Sequence, residues 1–396
     1  IAAGEVVERP ASVVKELVEN ALDAGSTKIM IEVAKGGRSL IRISDDGCGM
    51  NYDDALLALE RYATSKIYSD EDLFSIKSLG FRGEALPSIA AVSKFTLVTR
   101  DRHSDGGTEI RIEGGTIKQI VETGAPPGTM VSVAHLFYNT PARRKFLKTI
   151  NTEMGHIADV IASIALGRPD VSFKLTHNSK MVKSWPAAPE RLERVLDVLG
   201  RDLRRELFPV DRSAGDLSVS GWISAPRVFR KTTRGNFIFV NGRYVRDRMI
   251  RHALFEGYQQ RLVKGQYPLA VLYVSVPFDE VDVNVHPTKH EVRFARHRMV
   301  HDLVKAAVAE ALDREDRPKW EGGEGSKVSE IRYKIQDTRF RDQGFGKAQG
   351  DWTEAEGSRL KTQRKVSETH ATYSSTADLG ERSDSTRQDP VSSIQY

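Results

Sequence analysis

The most constraining feature of this chain is an amphipathic helix followed at once by two short strands and an acidic turn with two glycines, Asp45-Asp46-Gly47-Cys48-Gly49. Apolar side chains recur at helical spacing over residues 11–24: Val13, Val14, Leu17, Val18, Ala21 and Leu22. Pro10 and Ser12 favour a helix start and Gly25 favours a helix end. Strands are predicted at 28–34 and 39–44, joined as a hairpin by the turn Gly36-Gly37.

The remaining pattern also mixes helices with strands. In the first half, helices are predicted at 52–61, 84–91 and 151–166, and strands at 94–100, 108–113, 116–122, 129–134 and 171–176. In the second half, the predictions are strands at 216–223 and 268–276, a hairpin of 236–240 and 243–245 turning at Asn241-Gly242, and helices at 247–262 and 297–312. This mixture indicates an α+β fold with mainly antiparallel strands, and it argues against a doubly wound parallel sheet.

Composition divides the chain into three predicted parts. The prolines in the run 185–190 interrupt the periodic pattern and predict a domain boundary near 186. Residues 321–396 hold only ten Val, Ile, Leu, Met or Phe in 76 residues, too few to offset the entropy of ordering the segment. We therefore expect one domain at 1–186, a second at 187–318 and a disordered linker at 319–396.

Hydropathy and cysteine content bear on the cellular setting. The sequence contains no run of about 18 uninterrupted apolar residues, which excludes a membrane-spanning protein. The single cysteine, Cys48, cannot form an internal disulfide, and a cytoplasmic, reducing setting is therefore expected.

Positive charge is concentrated in one segment. Residues 227–251 carry eight Lys or Arg side chains against one acid, Asp247, while the whole chain has a net charge of only +5. Such a patch is typical of proteins that bind a polyanion such as nucleic acid, but a solvated surface is an equally good interpretation.

Four sequence elements have side chains suited to binding a nucleotide, although no P-loop motif occurs. Glu16 and Asn20 lie one helical turn apart, so their oxygens could orient a water and hold Mg²⁺. Asp45, at a strand end, could accept a hydrogen bond from an exocyclic amine. Two glycine-bearing segments, 80–83 and 128–129, follow. Each element alone is ordinary, and a helix edge or a turn explains it better.

The four elements together, in this order and spacing, resemble the nucleotide site of the GHKL ATPases: gyrase B, the ninety-kilodalton chaperones, sensor histidine kinases and MutL. Within that superfamily the chain is most similar to the MutL mismatch-repair proteins, through six words: IAAGEVVERP at 1–10, ATSKI at 63–67, LGFRGEAL at 79–86, LFYNTPARRKFL at 136–147, FVNGR at 239–243 and DVNVHPTKHEVRF at 282–294. This resemblance covers residues 1 to about 315. It implies a GHKL (Bergerat) ATPase α/β sandwich, followed by a ribosomal-protein-S5-like α+β domain and the linker.

The resemblance also implies a role for each matching residue. Glu16 becomes the general base or water-positioning group, and Lys289, from the second domain, becomes a catalytic cation at the γ-phosphate. Asn20 becomes the Mg²⁺ ligand and Asp45 the adenine reader. The remaining implied ATP contacts are Gly49, Lys66, Gly80, Phe81, Arg82, Gly83 and Thr129. Residues 63–86 correspond to a lid, and Lys66 could alternatively have a structural role or contact nucleic acid.

The implied function is an ATP-driven switch in mismatch repair. It dimerises on binding ATP and Mg²⁺, and couples the mismatch-recognition protein MutS to a downstream nuclease and helicase. Non-specific DNA binding is expected to use Arg243, Arg246 and Arg248 against phosphates. Because MutL proteins have further residues before this region and a C-terminal dimerisation domain after it, the chain is expected to be a fragment.

Two alternatives accompany this interpretation. The nearest is the ATPase subunit of a type II DNA topoisomerase, which shares both domain folds. The other is a basic DNA-binding module with a vestigial nucleotide fold, which the intact Glu16 and Asn20 disfavour. His286, His290 and Glu291 suggest a metal site, but Pro287 interrupts any helix between them, and a structural cluster is the better interpretation.

Overall fold

The computed structural model describes residues 7–60, 84–282 and 292–316 of the 396-residue chain. The helices are α1 (Pro10–Asp23), α2 (Tyr52–Leu57), α3 (Ala85–Ala91), α4 (Pro141–Phe146), α5 (Ile150–Gly167), α6 (Arg191–Leu199), α7 (Arg248–Tyr258) and α8 (His297–Asp316). Within these residues, no helix combines the length and apolar character needed to cross a bilayer.

Eight strands form the first sheet, in the order β5-β4-β3-β6-β2-β1-β7-β8. They are β1 (Lys28–Ala34), β2 (Leu40–Asp45), β3 (Lys94–Arg100), β4 (Gly107–Glu113), β5 (Thr116–Thr123), β6 (Gly128–Ala134), β7 (Ser172–His177) and β8 (Lys180–Trp185). All neighbours are antiparallel except β1 and β7, which run parallel. The predicted hairpin of β1 and β2 and the mainly antiparallel character are confirmed.

A second sheet of five strands has the order β13-β12-β15-β10-β9. Its strands are β9 (Leu207–Ala214), β10 (Leu217–Ser224), β12 (Asn236–Val240), β13 (Arg243–Val245) and β15 (Ala270–Ser275), with β12 and β15 parallel. Two small two-stranded sheets pair β11 (Phe229–Arg230) with β14 (Tyr267–Pro268), and β16 (Val281–Asp282) with β17 (Arg293–Phe294). Asn241 and Gly242 both have positive φ (49° and 81°), as a two-residue hairpin turn of this type requires.

Helices α1 and α5 pack against each other and share one hydrophobic core with the first sheet. The buried stripe of α1 is the predicted one, and strand β1 alternates buried with more exposed positions as its sequence predicts. Helices α7 and α8 pack against each other, with α8 against the second sheet, around a second core. The two cores meet at α5, where the Tyr273 hydroxyl donates to the Leu166 carbonyl oxygen at 2.8 Å.

The linking region around the predicted boundary contains a fully buried charge. Arg194 on α6 donates to the carbonyl oxygens of Val171 and Pro186, both at 2.7 Å, and to that of Pro169 at 3.0 Å. The side chains of α6 belong to the first core, with Val195 and Leu196 fully buried. The domain limits themselves remain a prediction, and residues 319–396 lie outside the described residues.

Two predicted helices are longer than the observed ones. The helix predicted at 52–61 ends at Leu57, and residues 58–60 continue only as turns. The helix predicted at 247–262 ends at Tyr258, because Gln259 has φ of 51° and ψ of −129°, which no helix continues through.

Candidate nucleotide site

The end of strand β2 presents Asp45 to its surroundings in a fixed orientation. Asp45 pairs in register with Thr129 of β6 on one side and with Ile29 of β1 on the other. One carboxylate oxygen, Oδ1, accepts a hydrogen bond from the Gly47 N–H at 2.9 Å and another from the Ser26 hydroxyl at 3.0 Å. Burial raises the pKa of Asp45, and the hydrogen bonds only partly oppose that effect. The half-buried carboxylate is thus held at the end of β2.

The next residue, Asp46, has a structural role that the sequence did not reveal. Its carboxylate accepts hydrogen bonds from the backbone N–H groups of Thr27 and Lys28, both at 2.8 Å, and from the Thr27 hydroxyl at 2.6 Å. Burial opposes its ionisation, but these hydrogen bonds prevail and lower its pKa. Asp46 therefore fixes the start of β1 beside the end of β2.

Helix α1 is joined directly to this acidic turn. The Cys48 N–H donates to the carbonyl oxygen of Ala24, the residue after α1, at 3.0 Å. The Ser26 hydroxyl oxygen, which contacts Asp45, also lies 2.6 Å from the carbonyl oxygen of Ala21 in the last turn of α1, so its one hydrogen is shared between the two acceptors. These bonds bring the C-terminal end of α1 against the turn that contains Asp45, so two of the predicted elements meet.

Glu16 and Asn20 lie one turn apart on α1, as the spacing predicts, on the edge of the buried stripe. Both side chains are half-buried, and the Glu16 side chain keeps a quarter of its surface exposed. Lys15 Nζ lies 3.9 Å from a Glu16 carboxylate oxygen and 3.5 Å from one of Glu19. Two oxygen-bearing side chains thus lie on one edge of α1, partly accessible to solvent.

Two threonines, Thr99 and Thr129, lie opposite each other on the neighbouring strands β3 and β6. Thr99 at the end of β3 is fully buried, and its hydroxyl lies 3.0 Å from the hydroxyl of Thr129. The same Thr99 oxygen donates to the Gly128 carbonyl oxygen at 3.1 Å and accepts from the Met50 N–H at 3.0 Å. Thr99 therefore connects the predicted residue Thr129 to the backbone after the acidic turn. Nothing in the sequence separates it from other strand threonines.

Gly49 is required at its position for two reasons. Its φ of 72° is in the left-handed region, and a Cβ atom there would lie 1.9 Å from the carbonyl oxygen of Arg100. The backbone of the acidic turn thus approaches the end of β3 more closely than any side chain permits. The turn is therefore packed directly against the backbone of Arg100 and Asp101, and only glycine fits at this position.

Six predicted site residues lie outside the described residues: Lys66, Gly80, Phe81, Arg82, Gly83 and Lys289. Their implied roles, and that of the lid at 63–86, remain predictions. The alternative metal cluster of His286, His290 and Glu291 also falls outside the described part of the chain.

The three arginines predicted to contact DNA have different surroundings. Arg246 and Arg248 are exposed at the start of α7, and the Arg246 guanidinium lies 5.9 Å from the centre of the Tyr244 ring. Arg243 is half-buried; burial lowers its pKa, while the charges of Glu19 and Asp23 oppose that effect. Arg243 therefore faces acidic side chains of α1, whereas the other two face solvent.

Comparison with known proteins agrees with this arrangement. A family model described as "Histidine kinase-, DNA gyrase B-, and HSP90-like ATPase" matches residues 8–122, and one described as "DNA mismatch repair protein, C-terminal domain" matches residues 195–313. The fold is therefore that of a GHKL ATPase followed by an S5-like α+β domain.

The particular family follows from the relatives. The DNA mismatch repair protein MutL of Geotalea daltonii is 54% identical over 312 residues, which are 79% of this chain and 52% of that protein. MutL of Geobacter sulfurreducens is 53% identical over 313 residues, covering 79% of this chain and 51% of that protein. The chain belongs to the MutL family, and it spans about half the length of these relatives.

Solved structures agree. The N-terminal domain of a DNA repair protein superposes with a TM-score of 0.67 at 26% identity, covering 79% of this chain and 97% of that one. The Aquifex aeolicus MutL ATPase domain complexed with ADP has a TM-score of 0.54 at 28% identity, covering 76% and 98%. Both relatives, those of Geotalea daltonii and Geobacter sulfurreducens, are MutL proteins, which favours the MutL resemblance over that to a topoisomerase subunit.

Proposed function

We propose that the chain binds and hydrolyses ATP with Mg²⁺, and that the space between α1, the acidic turn and β6 is the nucleotide site. The observation that carries this proposal is the fixed carboxylate of Asp45 beside Gly49, at the C-terminal end of the helix that bears Glu16 and Asn20. The ADP complex of the related Aquifex aeolicus domain supports a nucleotide at this fold.

Each side chain has a defined task in this proposal. Asp45 accepts a hydrogen bond from the adenine amino group, and Gly49 holds the turn that carries Asp45 against the end of β3. Asn20 offers a carboxamide oxygen, a ligand type that suits Mg²⁺. The ion, when bound, neutralises phosphate charge. Glu16, one turn away, orients the attacking water and accepts its proton.

The oxygen donors fit a magnesium nucleotide. Asn20 and Glu16 are half-buried and therefore reachable from solvent, and the hydroxyls of the buried Thr99 and the half-buried Thr129 lie 3.0 Å apart. We propose further phosphate contacts from a lid, which would contain Lys66 and the glycine-bearing segment Gly80, Phe81, Arg82 and Gly83. Lys289 belongs to the proposal as a cation at the γ-phosphate.

At the level of the whole protein, we assign the chain the role of an ATP-dependent matchmaker in DNA mismatch repair. Nucleotide binding drives dimerisation of the N-terminal halves, and the dimer couples recognition of a mismatch by MutS to a downstream nuclease and helicase. Membership of the MutL family supports this role. The protein acts on chromosomal DNA in the cytoplasm, with the exposed Arg246 and Arg248 contacting phosphates independently of base sequence, while Arg243 faces α1.

The test is Mg²⁺-dependent ATP hydrolysis by the purified chain, measured with and without DNA. We expect hydrolysis that stops when Mg²⁺ is chelated. We also expect DNA to change the rate of hydrolysis. Sedimentation with a non-hydrolysable analogue and Mg²⁺ tests the dimer, and Lys289→Ala should reduce association. A chain that binds no nucleotide in calorimetry would contradict the ATPase proposal. A chain that binds analogue and stays monomeric contradicts only the dimerisation step.

A further inference from the structure

Two histidines and a glutamate form a cluster on the surface of the α7–α8 pair, on elements that contribute nothing to the proposed nucleotide site. His252 and Glu256 are one turn apart on α7, and His301 comes from the adjacent helix α8. One ligand atom from each of the three residues lies within 4.8 Å of the other two. His252 is exposed and the other two are partly buried, so an ion could enter from solvent.

The spacing of the ring nitrogens suits one metal ion. His301 Nε2 is central, at 3.2 Å from His252 Nδ1 and 3.8 Å from a carboxylate oxygen of Glu256. Two imidazole nitrogens bound tetrahedrally to zinc at about 2.0–2.1 Å stand roughly 3.3 Å apart. The two nitrogens share a hydrogen bond when no metal is bound, and their separation is close to the distance that a shared zinc ion imposes.

A second, independent observation concerns the other nitrogen of His301. His301 Nδ1 lies 3.1 Å from Asp302 Oδ1, a distance at which the ring N–H donates to the carboxylate. This bond assigns the proton to Nδ1 and leaves the lone pair of Nε2 directed at the cluster. Histidine ligands of metals almost always donate their second nitrogen to a carboxylate or carbonyl in this way. The carboxylate thus prepares His301 as a ligand.

The cluster also contains a cation of its own. Lys305 Nζ lies 2.9 Å from Glu256 Oε2, and this contact lowers the pKa of the Glu256 carboxyl. Lys305 is one turn after His301 on α8 and therefore bridges the same two helices as the cluster. Glu256 consequently has a partner without a metal, and an incoming ion must compete with the ammonium group of Lys305.

We infer that His252, Glu256 and His301 form a binding site for Zn²⁺ or a similar late first-row divalent ion. Two imidazole nitrogens and one carboxylate oxygen are the donor set of zinc sites that keep a fourth position open to water. Mg²⁺ and Ca²⁺ prefer oxygen ligands only and should not bind there. Because the ligands come from both α7 and α8, the bound ion cross-links the two helices.

The experiment is calorimetric titration of the full chain, without a histidine tag, with Zn²⁺ at neutral pH. We expect His301→Ala and His252→Ala each to remove one zinc ion per chain. Asp302→Asn should weaken binding by about tenfold, the usual effect of losing such a supporting carboxylate. Lys305→Ala should strengthen binding, because the competing ammonium is gone. His103→Ala, an exposed histidine between β3 and β4, is the matched control and should bind zinc like the parent.

Two further measurements make the result decisive if a variant is poorly folded. Zn²⁺ should raise the melting temperature of the parent and of His103→Ala, while Mg²⁺ at the same concentration should not, since an ion that binds only the folded state stabilises it. Co²⁺ in place of Zn²⁺ should give the visible absorption of a tetrahedral site. Equal zinc stoichiometry and affinity in the parent and in His301→Ala would overturn the assignment, as would a parent chain that binds no zinc.

Discussion

One strand of the second sheet, β12, differs from the strands of the first sheet in how its two faces are covered. Strands β1 and β4 alternate buried with more exposed positions, whereas all five residues of β12 are buried. Phe237 and Phe239 of β12 belong to the core of the first sheet, and Ile238 and Val240 to the core of the second. A strand buried on both faces is thus the signature of the contact between the two cores.

That difference bears on how the candidate site is connected. β12 leads through its hairpin into Arg243, whose charge interacts with Glu19 and Asp23 of α1. The same helix carries Glu16 and Asn20 and is bonded to the acidic turn. The region of the first sheet therefore holds the proposed ligand contacts. The region of the second sheet contacts the same helix, α1, through the charge of Arg243.

The largest effect is expected at Gly49. Gly49→Ala combines left-handed backbone with a Cβ 1.9 Å from the Arg100 carbonyl oxygen, so it should cost about 3 kcal/mol or more of unfolding free energy. The control is Gly215→Ala in the second region, where φ is 63° and nothing lies within 4 Å of the added atom. It should cost only the backbone strain, about 1–2 kcal/mol. Urea unfolding of both variants measures the two losses of unfolding free energy. Equal losses would refute the close approach at Gly49.

A second prediction separates binding from stability at Asp45. Because burial raises the pKa of Asp45, the folded state retains the proton to higher pH than the unfolded state. Ionising Asp45 therefore lowers stability as the pH rises through its folded pKa, and Asp45→Asn should be at least as stable as the parent at pH 7. Its advantage should vanish at low pH, where the parent is also neutral.

The same variant should bind ATP about 10- to 100-fold more weakly, since a hydrogen bond to a charged group is worth about 1.5–3 kcal/mol. Thermal unfolding across pH measures the stability of Asp45→Asn, and calorimetry measures its affinity for ATP. An Asp45→Asn protein with parental ATP affinity would remove Asp45 from the site.

The smallest effect on stability is expected for the exposed arginines that are proposed to bind DNA. Replacing the exposed Arg246 and Arg248 with Glu should leave the unfolding free energy within about 0.5 kcal/mol, since substitutions at exposed positions seldom change stability. It should flatten the log-log salt dependence of DNA binding by about one unit for each lost phosphate contact. Arg243→Glu, by contrast, should lower stability, because it places a third acid beside Glu19 and Asp23. Unchanged salt dependence in the double variant would mean that the exposed arginines form only a solvated surface.

Sequence predicted the parts of this molecule that local pattern controls. The bounds of β1 and β3 were predicted to the residue and those of α1 to within one, because alternation and helical spacing are strong there. Helix α6 was missed because the fully buried Arg194 interrupts its apolar face. Strand β9 was missed because Pro209 lies within it, which an edge strand tolerates.

Of the predicted site residues, Asp45 and Thr129 are neighbours in register on β2 and β6, and their roles stay predictions. Ser26, Asp46 and Thr99 acquire their roles only through chain segments distant in sequence, and no local pattern marks them.

The most direct test of the account is the separation of ATP binding from hydrolysis at Glu16. Glu16→Ala should keep ATP affinity and lose hydrolysis by about 100-fold or more, the usual contribution of a general base. Asn20→Ala should also lose Mg²⁺-dependent binding, and Glu19→Ala, on the same helix, should retain turnover. Calorimetry with ATP and single-turnover hydrolysis on the three variants measure this. Near-parental turnover in Glu16→Ala would contradict the assignment of this helix to the reacting phosphate.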